Sequence, residues 1–595
     1  MSTNKTIIFI AMLMLVALKM GAQNIEPSKK VLYKVIDGDS LYLHVFEPKT
    51  TIETAPTAAV VFFFGGGWTS GNPKQFYQQS EYLASRGMLA ISAEYRTKNT
   101  YGTTPFECVE DGKSAIRWVR EHAKELHIDP NKIVAGGGSA GGHVATCTAV
   151  IDGFENASEN LTISSVPNAV IGYNPVIDTT EKGYGAKKVK GRETEISPCH
   201  NVKSDLPPML FFHGKKDTTV PFENADRFNR LMHEAGNKSE LVAVENVGHG
   251  FFNGSFFRNS SDDKYYNLTM YHTDLFLQDL GYLTGKATIA STEGLTFEYS
   301  EITGVGKDSK YNRRDNSDII KVNDTYYIWY TRMDKPTTSG YWGTIWYATS
   351  KDEGYTWQEQ GMALGLGEKG AFDSHSVFTP NILEFNGQYY LYYTGVKPTP
   401  NNKNNEFENN AKTDITALGL AVSDSPDGPF ERVENNPVLT ISNVAKDFDS
   451  YRIDDASMLV RDNKIALYYK GRSLIHGTKG AHHTQMGVAF SETPEGPFEK
   501  HIKPILDKSH EVLIWNENEG VSSLASINQT VNYAPDGVNF YPLYDDLTNI
   551  PKAPGLYRSS LTGNHDKTIV PTWGIAMIQK KKEAYLIRFE IKKEQ

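Results

Sequence analysis

Ser139 sits in Gly137-Gly138-Ser139-Ala140-Gly141, between the apolar run Lys132-Ile133-Val134-Ala135 and the helix-compatible run Gly142-His143-Val144-Ala145-Thr146. A strand that turns into a helix through G-x-S-x-G forces the serine into a strained elbow with its Oγ exposed. A hydroxyl is a poor nucleophile until a neighbouring imidazole takes its proton, so Ser139 needs a base. His249, in Gly248-His249-Gly250-Phe251, is the candidate. Asp217 follows the apolar strand Met209-Leu210-Phe211-Phe212 and is placed to hold the imidazole in one tautomer. Glu245 and Asp226 are weaker rivals for that role, while His143 and His213 read as structural. Charge developing on an attacked carbonyl calls for aligned backbone N–H groups. Gly66 and Gly67, after the strand Val60-Val61-Phe62-Phe63-Phe64, and Ala140 beside the nucleophile are placed to present them.

The elements around these residues alternate strand and helix. Leu41–Phe46 and Leu89–Ala93 read as strands, and residues 76–86 and 111–124 as helices. Alternation of this kind predicts a mostly parallel sheet with helices on both faces, here over residues 28–284. The chain order Ser…Asp…His is that of α/β-hydrolases. Residues 31–283 resemble the hormone-sensitive-lipase-like and acetyl-xylan-esterase-like branch of that fold. The likeness rests on the Gly65-Gly66-Gly67-Trp68 run, Glu94-Tyr95-Arg96, the serine elbow, His213-Gly214…Asp217 and Gly248-His249-Gly250-Phe251. It implies a serine esterase acting on acylated sugars. One departure is Phe64, where that branch usually has histidine before its glycine run. The oxyanion donors are backbone groups, so the chemistry should survive the change.

After a Thr/Ala/Ser/Gly-rich linker at 285–295 the texture changes. Tyr326–Tyr330, Tyr389–Tyr393 and Ile465–Tyr469 are matching strands, each preceded by an Asn/Asp/Gly turn. Each is followed by a unit such as Ala421-Val422-Ser423-Asp424-Ser425-Pro426-Asp427-Gly428-Pro429-Phe430. Tyr533-Ala534-Pro535-Asp536-Gly537 is a fourth copy of that unit. Repeats of short strands with Asp-Gly turns predict a five-bladed β-propeller over residues 296–595. Asp315, the pair Asp454-Asp455 and Glu511 precede or begin apolar strands of different repeats, so they are placed to converge on one axis. A turn-forming role for the Asp pair is the competing reading.

The same residues resemble the α-1,3-anhydro-L-galactosidases of agar breakdown (glycoside hydrolase family 117). The matching pieces are Arg313-Arg314-Asp315, Tyr327–Arg332, Phe378-Thr379-Pro380-Asn381-Ile382, Asp455 and His510-Glu511-Val512-Leu513-Ile514-Trp515. The resemblance implies Asp315 as general base and His510 as general acid. Glu511 and Asp455 would then favour the imidazolium form that an acid at neutral pH requires.

The totals bound these readings. A chain of 595 residues exceeds one core. Its formal charge of −10, with no basic arm beyond Lys580-Lys581-Lys582, argues against a nucleic-acid partner. Ile7–Leu18, followed by Gly21-Ala22, reads as a signal peptide over residues 1–22, so an exported chain in the periplasm or medium is expected, with no membrane span. Cys108, Cys147 and Cys199 allow one bridge or three buried thiols. The esterase chemistry requires no cofactor, and a structural or axial divalent cation in the propeller stays open. The leading expectation is a bifunctional enzyme, a carbohydrate esterase joined to an exo-acting glycosidase, with an acylated oligo- or polysaccharide as substrate. The alternatives are an esterase with a sugar-binding propeller and a prolyl-oligopeptidase-like peptidase.

Overall fold

The structure is a computed structural model that describes residues 25–36, 38–49, 55–259, 262–290, 294–398, 414–476, 482–517, 519–558 and 571–593. The expected signal segment, residues 1–22, lies outside the described residues. The chain divides into two compact units, Met1–Thr288 and Ile289–Gln595. No helix among the described residues is long and apolar enough to cross a membrane.

The first unit is an α/β-hydrolase. Its eight strands are β1 (Lys29–Ile36), β2 (Asp39–Phe46), β3 (Thr57–Phe63), β4 (Leu89–Ala93), β5 (Ile128–Gly138), β6 (Ala169–Tyr173), β7 (Met209–Gly214) and β8 (Ser239–Val244). They lie in the order β1-β2-β4-β3-β5-β6-β7-β8. From β4 to β8 every neighbouring pair is parallel, and β2 runs against both of its neighbours. A strand covered on both faces needs continuous apolar sequence. β3 meets that need, with Ala58 to Phe63 all buried.

Helices cover both faces. Tyr82 of helix Tyr77–Ser85 and Arg86, which caps its C-terminus, bind Asp274 of helix Lys264–Asp279. Helix Pro105–Glu121 packs against Ala140–Val150. The sequence pattern places the former at 111–124, but the structure starts it at Pro105. The reason is local: Thr104 and Glu107 form a capping box and proline is favoured at the first helical position. All three cysteines are buried free thiols.

The second unit is a propeller of five sheets. Blade 1 is Tyr311–Arg314, Thr325–Asp334, Thr344–Ser350 and Trp357–Leu364; blade 2 is Ser376–Phe385, Gln388–Pro398, Asp414–Ser423 and Glu431–Arg432. Blade 3 is Arg452–Arg461, Lys464–Arg472, Gln485–Ser491 and Glu499–Lys500; blade 4 is Leu513–Glu517, Gly520–Ala525, Thr530–Ala534 and Tyr541–Tyr544. The tyrosine-rich repeats are the second strands of blades 1 to 3, entered in blade 2 through a left-handed Asn386-Gly387 turn. Blade 5 carries no copy of the repeat. It combines Gly555–Leu556, Trp573–Lys580 and Glu583–Lys593 with Leu295–Ser300, the first strand of the unit. The first and last described strands of the unit share a sheet, which closes the ring without leaving a free edge there.

Candidate functional sites

The serine elbow is built by backbone strain that the neighbouring glycines permit. Ser139 leaves β5 with φ 52° and ψ −119° and caps helix Ala140–Val150. Its carbonyl accepts from Val176 N–H and its own N–H donates to the Tyr173 carbonyl, which fixes the turn from both sides. A Cβ at Gly137 would lie 2.4 Å from the Gly141 oxygen, and one at Gly141 would lie 2.1 Å from the Phe63 oxygen. Only glycine fits at either position.

Three loops bring the catalytic groups together. Ser139 Oγ lies 2.9 Å from His249 Nε2, and His249 Nδ1 lies 2.7 Å from Asp217 Oδ2. With Nδ1 donating to the carboxylate, Nε2 is the lone pair that takes the serine proton. Burial pushes the Asp217 carboxyl up, but hydrogen bonds from His213, His249 and the Val220 N–H outweigh it and hold it below the usual carboxylate range. Asp217 therefore remains an anion facing the imidazole. His143 is buried and held neutral, drawn down to about 4, with Nε2 on the Ile196 carbonyl. Lys215 pairs with Glu245, and Arg230 with Asp226, so both rival acids are engaged away from His249.

The oxyanion loop faces the nucleophile: a Cβ on Gly65 would come within 3.2 Å of Ser139 Cβ. The Gly66 carbonyl accepts from Thr69 and Ser70 N–H groups. In a trans peptide the Gly67 N–H points opposite to that carbonyl, away from the turn. Ala140 opens its helix, so its N–H has no partner within the helix. Phe64, at the position where that esterase branch usually has histidine, stacks on Tyr95 with ring centroids 4.3 Å apart, and Tyr95 O–H donates to the Phe64 carbonyl at 2.6 Å. That packing holds the loop without an imidazole.

Two side-chain amides, absent from the sequence reading, tie this loop to the histidine. Gln75 Oε1 accepts from Gly65 N–H at 2.6 Å, and Gln75 Nε2 donates to Asn253 Oδ1 at 2.9 Å. Asn253 Nδ2 donates in turn to the Gly250 carbonyl, next to His249, while Gly250 N–H donates to Asn174 Oδ1. The only sequence signal for them was their position beside the glycine run and the Gly248-His249-Gly250-Phe251 motif.

In the propeller a recurring backbone device supplies the second site. Asp315, Thr379 and Asp455 come from the innermost strand regions of blades 1, 2 and 3, and all have left-handed φ, 47°, 45° and 54°. In blades 2 and 3 the residue lies inside a bulge, where register slips between Phe378 and Asn381 and between Asp454 and Ser457. Bulges re-aim side chains. One pocket collects Asp315, Thr379, Asp455 and Glu511, lined also by Asn316, Asn381, and Ala553 and Pro554 just before blade 5.

Two cations balance the three carboxylates. Arg314 Nε binds Asp315 Oδ2 at 2.6 Å. Burial opposes its charge, yet Asp315, Asp455 and Glu511 together raise it above its ordinary value. Lys470 Nζ lies 2.6 Å from Asp455 and 3.1 Å from Asp454. Burial raises the Asp455 carboxyl well above the usual range, with Asp454 and Asp315 adding to it against the pull of Lys470.

His510 differs from expectation. The charge of Lys470, then burial, then Arg472, Lys552 and Arg314 draw it down to about 2. The expected favour from Glu511 and Asp455 is outweighed because those carboxylates already face Lys470 and Arg314. His510 is therefore neutral at ordinary pH, and it is not among the residues lining the pocket.

The first unit thus has the α/β-hydrolase fold with a Ser–His–Asp triad, and the second is a five-bladed propeller with an acidic pocket. The family BD-FAE matches residues 43–232, and glycosyl hydrolases family 43 matches residues 309–457, a stretch containing Asp315 and Asp455. The first match falls within the α/β unit and the second within the first three blades of the propeller. It is 29% identical over 291 residues to an acetylxylan esterase of Xylanibacter ruminicola, covering 46% of this chain and 53% of that protein. It is also 32% identical over 161 residues to endo-1,4-beta-xylanase B of Butyrivibrio fibrisolvens, a quarter of each chain. The apo form of Thermogutta terrifontis esterase 2 is 43% identical, with 44% of this chain and 98% of that one covered at a TM-score of 0.42. The chain spans about half the length of the first curated relatives it matches.

Proposed function

We propose that this chain carries two hydrolytic activities on one class of substrate, acylated oligo- or polysaccharide. Ser139, activated by His249 and oriented by Asp217, attacks the acyl carbonyl, and the N–H groups of Gly66, Gly67 and Ala140 take up the oxyanion charge. His249 then protonates the leaving sugar oxygen, and water completes the cycle. No cofactor enters these steps. The observation that supports this most is the continuous Ser139–His249–Asp217 chain at 2.9 and 2.7 Å.

In the propeller, Asp315 activates water and Glu511 protonates the leaving glycosidic oxygen, with Asp455 and Lys470 setting the charge between them. Convergence of Asp315, Asp455 and Glu511 on one pocket supports the reading. The narrower likeness to the α-1,3-anhydro-L-galactosidases would hand the acid role to His510. A neutral imidazole surrounded by cations is a poor proton donor, so we assign that role to Glu511. An ester on a sugar hydroxyl adds bulk that a narrow pocket rejects, so deacylation would precede glycosidic cleavage. Export follows in this reading from the Ile7–Leu18 segment. The test is product analysis on an acetylated oligosaccharide with Ser139 and Asp315 replaced separately. Sugar binding without cleavage would reduce the propeller to a binding module.

A further inference from the structure

The innermost strand of each blade is a sheet edge, so carbonyls facing the axis need a partner that donates to them. In this chain that partner is covalently attached. Arg558, only 5% exposed, follows the first strand of blade 5. Its Nη1 donates to the Met458 carbonyl of blade 3 at 3.1 Å and to the Ile514 carbonyl of blade 4 at 3.3 Å. Its Nη2 binds the carboxylate of Asp318, a residue 1% exposed that follows the first strand of blade 1. Asp318 also accepts from Asn381 Nδ2 of blade 2 at 3.1 Å and from Leu556 N–H of blade 5 at 2.8 Å. One ion pair thus gathers contacts from all five blades.

A divalent ion does not fit these residues. Asp318 supplies the carboxylate at this place and Arg558 already engages it. Among the described residues no group of three or more His, Cys, Asp or Glu side chains could hold a metal ion. A second cation beside the guanidinium would meet strong repulsion in a low-dielectric interior.

We propose that the Arg558 guanidinium is the axial cation of this propeller, which makes the ring's stability independent of divalent metal. The pair also braces the pocket of Asp315, Asp455 and Glu511, because Asn381 both lines that pocket and binds Asp318. This inference does not rest on the glycosidase assignment. Its test is thermal unfolding of the full chain, with intrinsic fluorescence reporting the tryptophan-rich propeller. The wild-type midpoint should be the same in EDTA and in millimolar Ca²⁺ or Mg²⁺. Arg558→Ala strands a buried carboxylate and should lower the propeller midpoint by at least about 5 °C. Arg558→Lys, which keeps the charge but loses the two-armed fork, should fall between the two. The wild-type metal arm stands even if Arg558→Ala fails to fold. A wild-type midpoint that drops by several degrees in EDTA overturns the proposal, since a tightly held ion would stabilise by mass action. A lysine variant as stable as wild type also overturns it.

Discussion

Lys470 reaches Asp455 across 2.6 Å, and the same ammonium is the largest influence on His510, drawing it down to about 2. One buried lysine therefore pulls against the burial that raises a pocket carboxyl and disfavours the charged form of a nearby histidine. It separates the two candidates for general acid, His510 and Glu511, which are neighbours in sequence.

Glu511→Gln should lower glycosidase kcat by about 10²-fold or more, the usual range for losing a general acid. His510→Ala should retain activity within about 10-fold of wild type, since a neutral imidazole is too weak an acid to protonate the leaving oxygen. Rates on a glycoside with a poor leaving group decide the matter. A His510→Ala loss as deep as that of Glu511→Gln would return the acid role to the histidine.

Gln75→Leu removes the acceptor for Gly65 N–H and the donor to Asn253 together. The oxyanion loop and the histidine loop then lose their common strut, and kcat on a small acetate ester should fall by about 10- to 10²-fold with KM little changed. Gln75 touches no reacting atom, so its role is positioning. Steady-state kinetics beside a thermal midpoint checks it. A higher KM at unchanged kcat would refute that role.

Asp217 gives a pH signature with a definite sign. Its carboxyl is held below its unfolded value, near 3.9, so its stabilising effect is complete above that pH and fades as pH falls toward the folded value. Comparison of wild type with Asp217→Asn should show the largest midpoint difference above about pH 5, shrinking steadily toward pH 2. At neutral pH the same variant should lose about 10⁴ in kcat, because the amide no longer holds the productive tautomer. A midpoint gap that widens in acid would contradict the depressed carboxyl.

Legibility in the sequence followed the range of the interactions. Ser139, Asp217 and His249 each lie in a short motif bounded by an apolar strand, and so could be singled out without coordinates. Gln75 and Asn253 could not, because their contact spans 178 positions and neither lies in a motif. The repeat announces blades 1 to 4, whereas blade 5 borrows Leu295–Ser300 from the start of the unit, and closure leaves no local mark. The carboxylates Asp315 and Asp455 are visible as residues, but the left-handed backbone that aims them is not. The charge of His510 was legible least of all, since it depends on Lys470 and Arg472 of blade 3, Arg314 of blade 1 and Lys552 from the segment before the fifth.

The central claim is that two independent hydrolytic sites reside on one chain. It is tested most directly by following acetate release and glycosidic cleavage together on one acetylated oligosaccharide, with Ser139→Ala and Asp315→Asn compared with wild type. Ser139→Ala should abolish acetate release, with about 10⁶ lost in kcat, yet still cleave the chemically deacetylated sugar. Asp315→Asn should release acetate at the wild-type rate and cleave no glycosidic bond. Cleavage by Asp315→Asn, or a purified wild-type chain that deacetylates but cleaves none of a broad oligosaccharide panel, would contradict the two-site account.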